Sequence, residues 1–251
     1  SNSTRMILSE TPIDIAKWNY LIKNGDKANS KVFFDFIKSK NLRNSIFIDN
    51  TASQIIAKEY LKYLKNNIGV VTCNKIACAD KLKNYKKLKI ISRKYNSPFL
   101  FETNVGAGLP IIDTLNNLIS SGDKIIKIEA ILSGSLNYIF NNFKKEKRFI
   151  DIVKKAEYLG YTEPDPKIDL SGIDVARKIL ILARESGQNI ELSDVKNNSF
   201  LPINSIETNS KEEFYKSLKD NSNHFNEILY EAKKHKSKLK YIARLENGKA
   251  S

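Results

Sequence analysis

The 251-residue sequence predicts an α/β protein in two parts, a parallel-sheet region over residues 1–100 followed by an α+β region over 101–251. Two observations carry that expectation. In the first hundred residues lysine-rich amphipathic stretches alternate with short apolar runs such as Ile46-Phe47-Ile48-Asp49 and Gly69-Val70-Val71-Thr72, the pattern of βαβ units. Beyond residue 110 that alternation gives way to mostly helical periodicity broken by an acid-rich, proline-containing stretch at 161–170.

In the first region the spacing predicts helices near 13–24, 30–40, 53–66 and 83–96, and strands at 46–49, 69–72 and 99–102. Polar residues follow two strands, Asp49-Asn50-Thr51-Ala52-Ser53 and Thr72-Cys73-Asn74-Lys75. Ligands of open parallel sheets bind just past the carboxyl ends of strands, which makes Thr51 and Lys75 candidate cofactor contacts. Thr51 and Ser53 are equally good helix caps; capping does not account for Lys75. A doubly wound nucleotide domain should open on a strand, a Gly-x-Gly-x-x-Gly turn and a helix. Nothing before residue 46 supplies that turn, so an incomplete Rossmann-like nucleotide-binding domain is expected, beginning after it. Gly106-Ala107-Gly108 runs into Leu109-Pro110 with no third glycine in place, and is rejected as a dinucleotide turn.

In the second region the pattern predicts a helix at 110–120, a strand at 124–132, helices at 135–143 and 149–159, then a helix at 172–187. A strand at 195–201, two polar helices within 210–235 and a strand at 239–245 follow, with the chain expected to stop in or just after that strand.

Composition bounds the function. Hydrophobic content of 41% is that of a globular chain, and no run of 18 apolar residues marks a membrane span. Cys73 and Cys78 exclude a disulfide framework and suggest a reducing, cytoplasmic setting; with His224 and His235 far away they fit no zinc pattern. The net charge of +14 is spread over most helices, only Lys233–Lys238 forms a dense basic run, and no aromatic stacking motif accompanies it, which argues against nucleic acid.

The chemistry concentrates at 161–178, Tyr-Thr-Glu-Pro-Asp-Pro-Lys-Ile-Asp-Leu-Ser-Gly-Ile-Asp-Val-Ala-Arg-Lys. Two prolines bias Glu163 and Asp165 toward extended backbone, which carries their carboxylates at little ordering entropy. Asp174 and Lys178 are four apart and share one helix face. Such a pair is usually a surface ion pair worth a few tenths of a kcal/mol. Here Ile173, Ala176, Ile179, Leu180 and Ala183 form the core stripe and Lys178 adjoins it, so its amine should sit half-buried beside carboxylates, where it can exchange protons.

This segment, with Phe-Glu-Thr-Asn-Val-Gly-Ala-Gly-Leu-Pro at 101–110 and Ile-Leu-Ser-Gly-Ser-Leu-Asn-Tyr-Ile-Phe at 131–140, resembles the homoserine dehydrogenase family, most closely the form fused behind aspartokinase. The resemblance implies NAD(P)-dependent hydride transfer between L-aspartate 4-semialdehyde and L-homoserine in threonine and methionine biosynthesis, by a homo-oligomer, dimer or tetramer, with NADP or NAD as cofactor. It implies Lys178 as the proton donor and acceptor, Asp174 fixing the substrate hydroxyl or a water, Lys75 coupled to that lysine, Glu163 on the substrate ammonium and Asp169 as a supporting carboxylate. Gly160 would keep side chains off the nicotinamide, or would simply be the C′ glycine of helix 149–159. Glu102, Val105, Ala107 and Leu109 would give oxygens to a monovalent cation, sodium or potassium. Ser133-Gly134-Ser135 would offer helix N–H groups to a substrate carboxylate, or be capped by serine. The sequence departs from the family at Ile168, where an aspartate is common, and at Cys73, where a proline is usual. A span without the glycine-rich turn is expected to bind NAD(P)H poorly. The other readings are a catalytically degenerate homologue kept as a scaffold or regulatory subunit, and a basic nucleic-acid-binding module.

Overall fold

The computed structural model describes residues 1–144 and 146–251, and the chain divides into two compact units. The first comprises residues 1–71 and 87–100; the second comprises 72–86 and 101–251.

In the first unit a pair of two-residue strands, β1 (Arg5–Met6) and β2 (Asp26–Lys27), flanks helix α1 (Trp18–Lys23). Helix α2 (Ser30–Lys40) starts on Asn29, whose side chain accepts from Lys31 N and Val32 N, and ends on Asn41 in the left-handed conformation. The parallel sheet runs in the order β3 (Ile46–Asp49), β4 (Gly69–Thr72), β5 (Phe99–Leu100), with α3 (Gln54–Lys58) and α4 (Tyr60–Leu64) after β3. Aromatic rings fill its core. Tyr63 stacks on Phe47 at 4.0 Å and meets Phe34 edge-on at 5.1 Å, while Tyr60, Tyr63 and Leu64 are fully buried.

The second unit opens with a single helical turn, α5 (Ile76–Ala79), and the start of α6 (Leu82–Lys94). Helices α7 (Thr103–Gly106) and α8 (Ile111–Ser120) lead to strand β6 (Lys127–Ala130), then α9 (Gly134–Asn142), α10 (Phe149–Tyr158), α11 (Pro166–Leu170) and α12 (Ile173–Glu185). Short α13 (Ile203–Ile206), then α14 (Lys211–Asp220) and α15 (Ser222–Lys234), precede β7 (Ala243–Glu246) and β8 (Lys249–Ala250). The antiparallel sheet is ordered β6-β7-β8, with Glu129 opposite Arg244 and ion-paired to it at 3.0 Å. Phe149 stacks on Phe225 at 4.1 Å, tying α10 to α15.

Most predicted elements are present, and the departures have local causes. The helix expected over 53–66 is broken at Glu59, where bonds close three residues apart (Glu59 N to Ile56 O, Lys62 N to Glu59 O). No strand forms at 195–201. There Asn197 donates to Ser171 O at 2.9 Å and accepts from Tyr241 Oη at 2.6 Å, and Ser199 Oγ takes Leu201 N, so side chains engage groups a ladder would need. The last strand begins four residues later than expected and returns through Asn247-Gly248, both at positive φ, as a tight hairpin. The acidic loop contains a helical turn, α11, begun by Asp165 as N-cap and Pro166 in the first turn.

Helix α12 is the spine of the second unit. Val175, Ala176 and residues 179–185 are buried, so packing reaches nearly all round it. It starts on Gly172 at φ +76°, where an added Cβ would lie 2.0 Å from Tyr241 Oη and 2.7 Å from Asn197 Oδ1. Left-handed strain of about 1–3 kcal/mol and the clash with the Asn197–Tyr241 pair act together. Gly172→Ala is therefore expected to lower the thermal midpoint by several degrees, with a stability loss of about 1–3 kcal/mol in denaturant titration. An unchanged midpoint would mean that this start of α12 is not strained.

Candidate active site

The cluster is built from three segments of the second unit. Asp174 lies in the first turn of α12 and Lys178 one turn on, and the Lys178 ammonium meets Asp174 Oδ2 at 3.0 Å. From the segment after β4, Lys75 Nζ reaches the other oxygen, Oδ1, at 3.3 Å. The third contact is main-chain: Lys178 Nζ donates to Leu132 O at 2.7 Å, just ahead of α9. One carboxylate is thus shared by two ammoniums, and the three side chains are 31%, 16% and 29% exposed for Asp174, Lys178 and Lys75.

A second carboxylate organises the approach to this cluster. Asp169, on α11, accepts from Ser135 Oγ at 2.9 Å and from the Glu163 backbone N at 2.8 Å. Ser133 caps α9 by accepting from Leu136 N and pairs with Ser135 at 2.9 Å. Serine capping is what occupies that helix start. The Glu163 carboxylate is exposed and makes no hydrogen bond or ion pair among the described residues.

The two aspartates sit in opposite electrostatic surroundings. Burial pushes the Asp169 carboxyl up, its bonds from Glu163 N and Ser135 oppose that, and the Asp174 charge adds to it; the net shift is upward. Burial also disfavours charge on Asp174, but the Lys178 and Lys75 ammoniums outweigh it and hold this carboxyl below its ordinary value.

The remaining predicted residues take the following places. Gly160, at φ +73°, closes α10 with Gly160 N on Glu157 O and Tyr161 N on Ala156 O, the paired bonds of a Schellman end, and a Cβ there would meet open space. In the first unit Thr51 is exposed, takes an amide bond to Asp49 Oδ1 at 2.8 Å and accepts from Ser53 N, while Ser53 caps α3. Glu102 places both carboxylate oxygens on the start of α8, accepting from Ile112 N at 2.7 Å and Asp113 N at 2.8 Å. Leu109 O accepts from Ile111 N, and Ala107 holds the unusual pair φ 51°, ψ −116°. The Glu102 oxygens and Leu109 O thus all have main-chain partners in the 102–113 segment. Sequence reasoning missed Arg184 and Asn104, both buried; an arginine amid an apolar helical stripe was the available signal for the first.

The first unit thus carries a three-stranded parallel sheet, and the second a largely buried lysine between a carboxylate and a carbonyl. The family model described as homoserine dehydrogenase matches residues 110–250, and that described as homoserine dehydrogenase, NAD binding domain, matches residues 16–102. The chain belongs to the homoserine dehydrogenase family. It is 40% identical over 247 residues to a bifunctional aspartokinase/homoserine dehydrogenase of Buchnera aphidicola, covering 98% of this chain and 30% of that protein. It is also 40% identical over 238 residues to a homoserine dehydrogenase of Schizosaccharomyces pombe, covering 92% of this chain and 63% of that one. A crystal structure of a protein of unknown function from Candida auris superposes with a TM-score of 0.88 at 32% identity, over 99% of this chain and 72% of that chain. The chain thus spans 30% of the first of these curated relatives and less than two thirds of the second.

Because the folded-state value of Asp174 is depressed, its contribution to stability is present above the unfolded value of about 3.9 and is lost as pH falls through the folded value. Asp174→Asn is expected to lower stability at pH 7 and to flatten the acid limb of a stability-against-pH curve measured by urea unfolding. An acid limb equal to that of the unsubstituted protein would contradict the two-ammonium arrangement.

Proposed function

We propose that the protein to which this sequence belongs is a homoserine dehydrogenase that interconverts L-aspartate 4-semialdehyde and L-homoserine, within a polypeptide that also carries aspartokinase activity. The observation that carries the reading is the Lys178 amine, largely buried and held between Asp174 Oδ2 and Leu132 O. In the reductive direction Lys178 Nζ gives a proton to the aldehyde oxygen, and in the oxidative direction it takes the hydroxyl proton. Two ammoniums and one carboxylate carry a net charge of +1, so release of the Lys178 proton leaves a balanced Lys75–Asp174 pair. Asp174 orients the amine and the reacting oxygen. The unpartnered Glu163 carboxylate suits the substrate α-ammonium, and its backbone is pinned by Asp169, which supports the acidic wall.

NADP or NAD supplies or accepts the hydride when bound. Thr51, Lys75 and Gly160 are the residues assigned to hold it, supported by the strand-end positions of the first two and by the bare Gly160 surface. Glu102, Val105, Ala107 and Leu109 would hold a sodium or potassium ion as a structural charge. The reading makes residues 1–100 a partial dinucleotide-binding domain and 101–251 the catalytic domain, with Lys75 contributed to the reacting cluster by the former and Gly160 to the cofactor by the latter. The reading includes a cytoplasmic homo-oligomer, dimer or tetramer; it is supported as to compartment by Cys73 and Cys78 not being joined in a disulfide.

In the full-length gene product, Lys178→Ala is expected to reduce kcat for homoserine oxidation by about 10²–10⁴-fold with little change in KM, followed by NAD(P)H absorbance. Glu163→Gln should instead raise the KM for homoserine about tenfold, the size of one lost charge-assisted contact. The Lys178→Ala gene should also fail to support growth without threonine and methionine. Normal turnover by Lys178→Ala would remove Lys178 as the proton-transfer group, whereas no turnover by the unsubstituted gene product would leave a degenerate homologue as the better reading.

A further inference from the structure

The segment that presents Lys75 has little means of holding itself in place. Helix α5 is four residues long, far below the length at which a helix is stable alone, and Lys75 sits at its N-terminal edge. Two side chains not assigned to the reaction grip this segment from both ends. Ahead of Lys75, Asn104 is fully buried, and with its amide nitrogen facing the strand end it donates to Thr72 O at 3.1 Å and to Cys73 O at 3.0 Å. Behind it, Arg184 Nη1 donates to Cys78 O at 2.8 Å and to Asp80 O at 2.6 Å, taking up carbonyls at the end of α5 that its single turn leaves without partners.

The Arg184 side chain has no exposed surface and every arm of its fork is used. Nε donates to Ile190 O at 3.1 Å, and Nη2 pairs with Glu191 Oε2 at 3.0 Å. Glu191 in turn accepts Leu82 N, fixing the next stretch of chain, and the guanidinium lies 5.4 Å from the centre of the Tyr85 ring. Tyr85 donates to Glu185, the neighbour of Arg184 on α12. Helix α12 therefore contacts the Lys75 segment twice. Asp174 takes the lysine head near one end, and Arg184 takes the backbone ten residues on, about 15 Å along the axis. A buried guanidinium bound to three carbonyls and one carboxylate is a rigid clamp that lysine cannot reproduce.

We propose that Arg184, with Asn104, is a positioning residue that sets the place of the Lys75 ammonium on Asp174 and so the protonation behaviour of the reacting lysine. This rests on the dehydrogenase reading of the Lys75–Asp174–Lys178 cluster. Arg184 acts without touching the cluster: the groups it bonds are Ile190, Cys78, Asp80 and Glu191.

The test is homoserine oxidation by the full-length gene product carrying Arg184→Lys, Lys75→Ala, or both. Arg184→Lys is expected to lower kcat about tenfold with KM changed less than twofold, since small displacements of a catalytic group act on turnover. Its kcat–pH profile should shift on the alkaline limb toward that of Lys75→Ala, and the double variant should be no slower than Lys75→Ala alone. Losses that multiply in the double variant, or a profile that overlays the unsubstituted one, would overturn the proposal. Should Arg184→Lys fail to fold, Asn104→Ala acts at the opposite end of the segment and is read by the same profile and the same double substitution, with the same two outcomes. Failure of the dehydrogenase reading is seen separately, as no homoserine oxidation by the unsubstituted gene product.

Discussion

One carboxylate between two ammoniums is the constraint around which the second unit is arranged. Lys75 and Lys178 repel each other, and at an effective dielectric of 20 two unit charges 4 Å apart interact by about 4 kcal/mol, against about 1 kcal/mol in water. Partial burial strengthens that repulsion, and Asp174 offsets it, its two oxygens taking one lysine each at 3.3 and 3.0 Å. Burial disfavours charge on Asp174, yet its carboxyl is held toward the ionised form, because the two ammoniums prevail over desolvation. A pair of this kind on an open helix face would contribute almost nothing. Its position against Leu132 O and the buried stripe of α12 makes the difference.

The fold reaches this arrangement by making α12 rigid and hanging everything else on it. Glycines bound the helix at both ends: Gly172 at φ +76° before it, and Gly187 at φ +89° after it, where Gly187 N and Gln188 N return to Arg184 O and Ala183 O. Between them the helix is packed on nearly all sides, so a residue on it has little freedom to drift. Polar groups on such a helix must be satisfied in place. Asp174, Lys178, Arg184 and Glu185 each find partners in segments 72–86, 131–135 or 190–191, and these partners are what fix the surrounding loops.

How much of this was legible in the sequence depended on the range of the interaction. Helical periodicity located α2, α8, α10, α12, α14 and α15 to within a few residues, because one apolar face determines each. The i, i+4 spacing of Asp174 and Lys178 was sufficient for their contact for the same reason. The chain near 195–201 misled, since Val195, Phe200 and Leu201 look strand-like while Asn197 bonds to Ser171 and Tyr241, partners 26 and 44 residues away. Asn247-Gly248 was a readable hairpin signal that went unused. Lys75 could be singled out as a polar residue past a strand, but its partner Asp174 is 99 residues on, and nothing local in the sequence pairs the two. The bonds of Asn104 and Arg184 to distant carbonyls have no local signature for the same reason, although an arginine in an apolar stripe marks the second residue as unusual.

The two aspartates five residues apart show why burial alone does not define a role. Asp169 and Asp174 are both desolvated, and desolvation is the largest influence on each. Asp174 faces cations and is held charged; Asp169 faces a hydroxyl and an amide, which offset its burial only in part, so its carboxyl is pushed up. Asp169, bonded to Ser135 and to the Glu163 backbone, ties α11 to α9 and to the acidic loop, whereas Asp174 bridges two ammoniums. Environments that drive neighbouring acids apart are the usual means by which one site separates proton chemistry from binding. Here the separation follows from one step of geometry: Gly172 turns the chain between α11 and α12, leaving Asp169 on the short helix bonded to α9 and Asp174 on the long one facing the lysines.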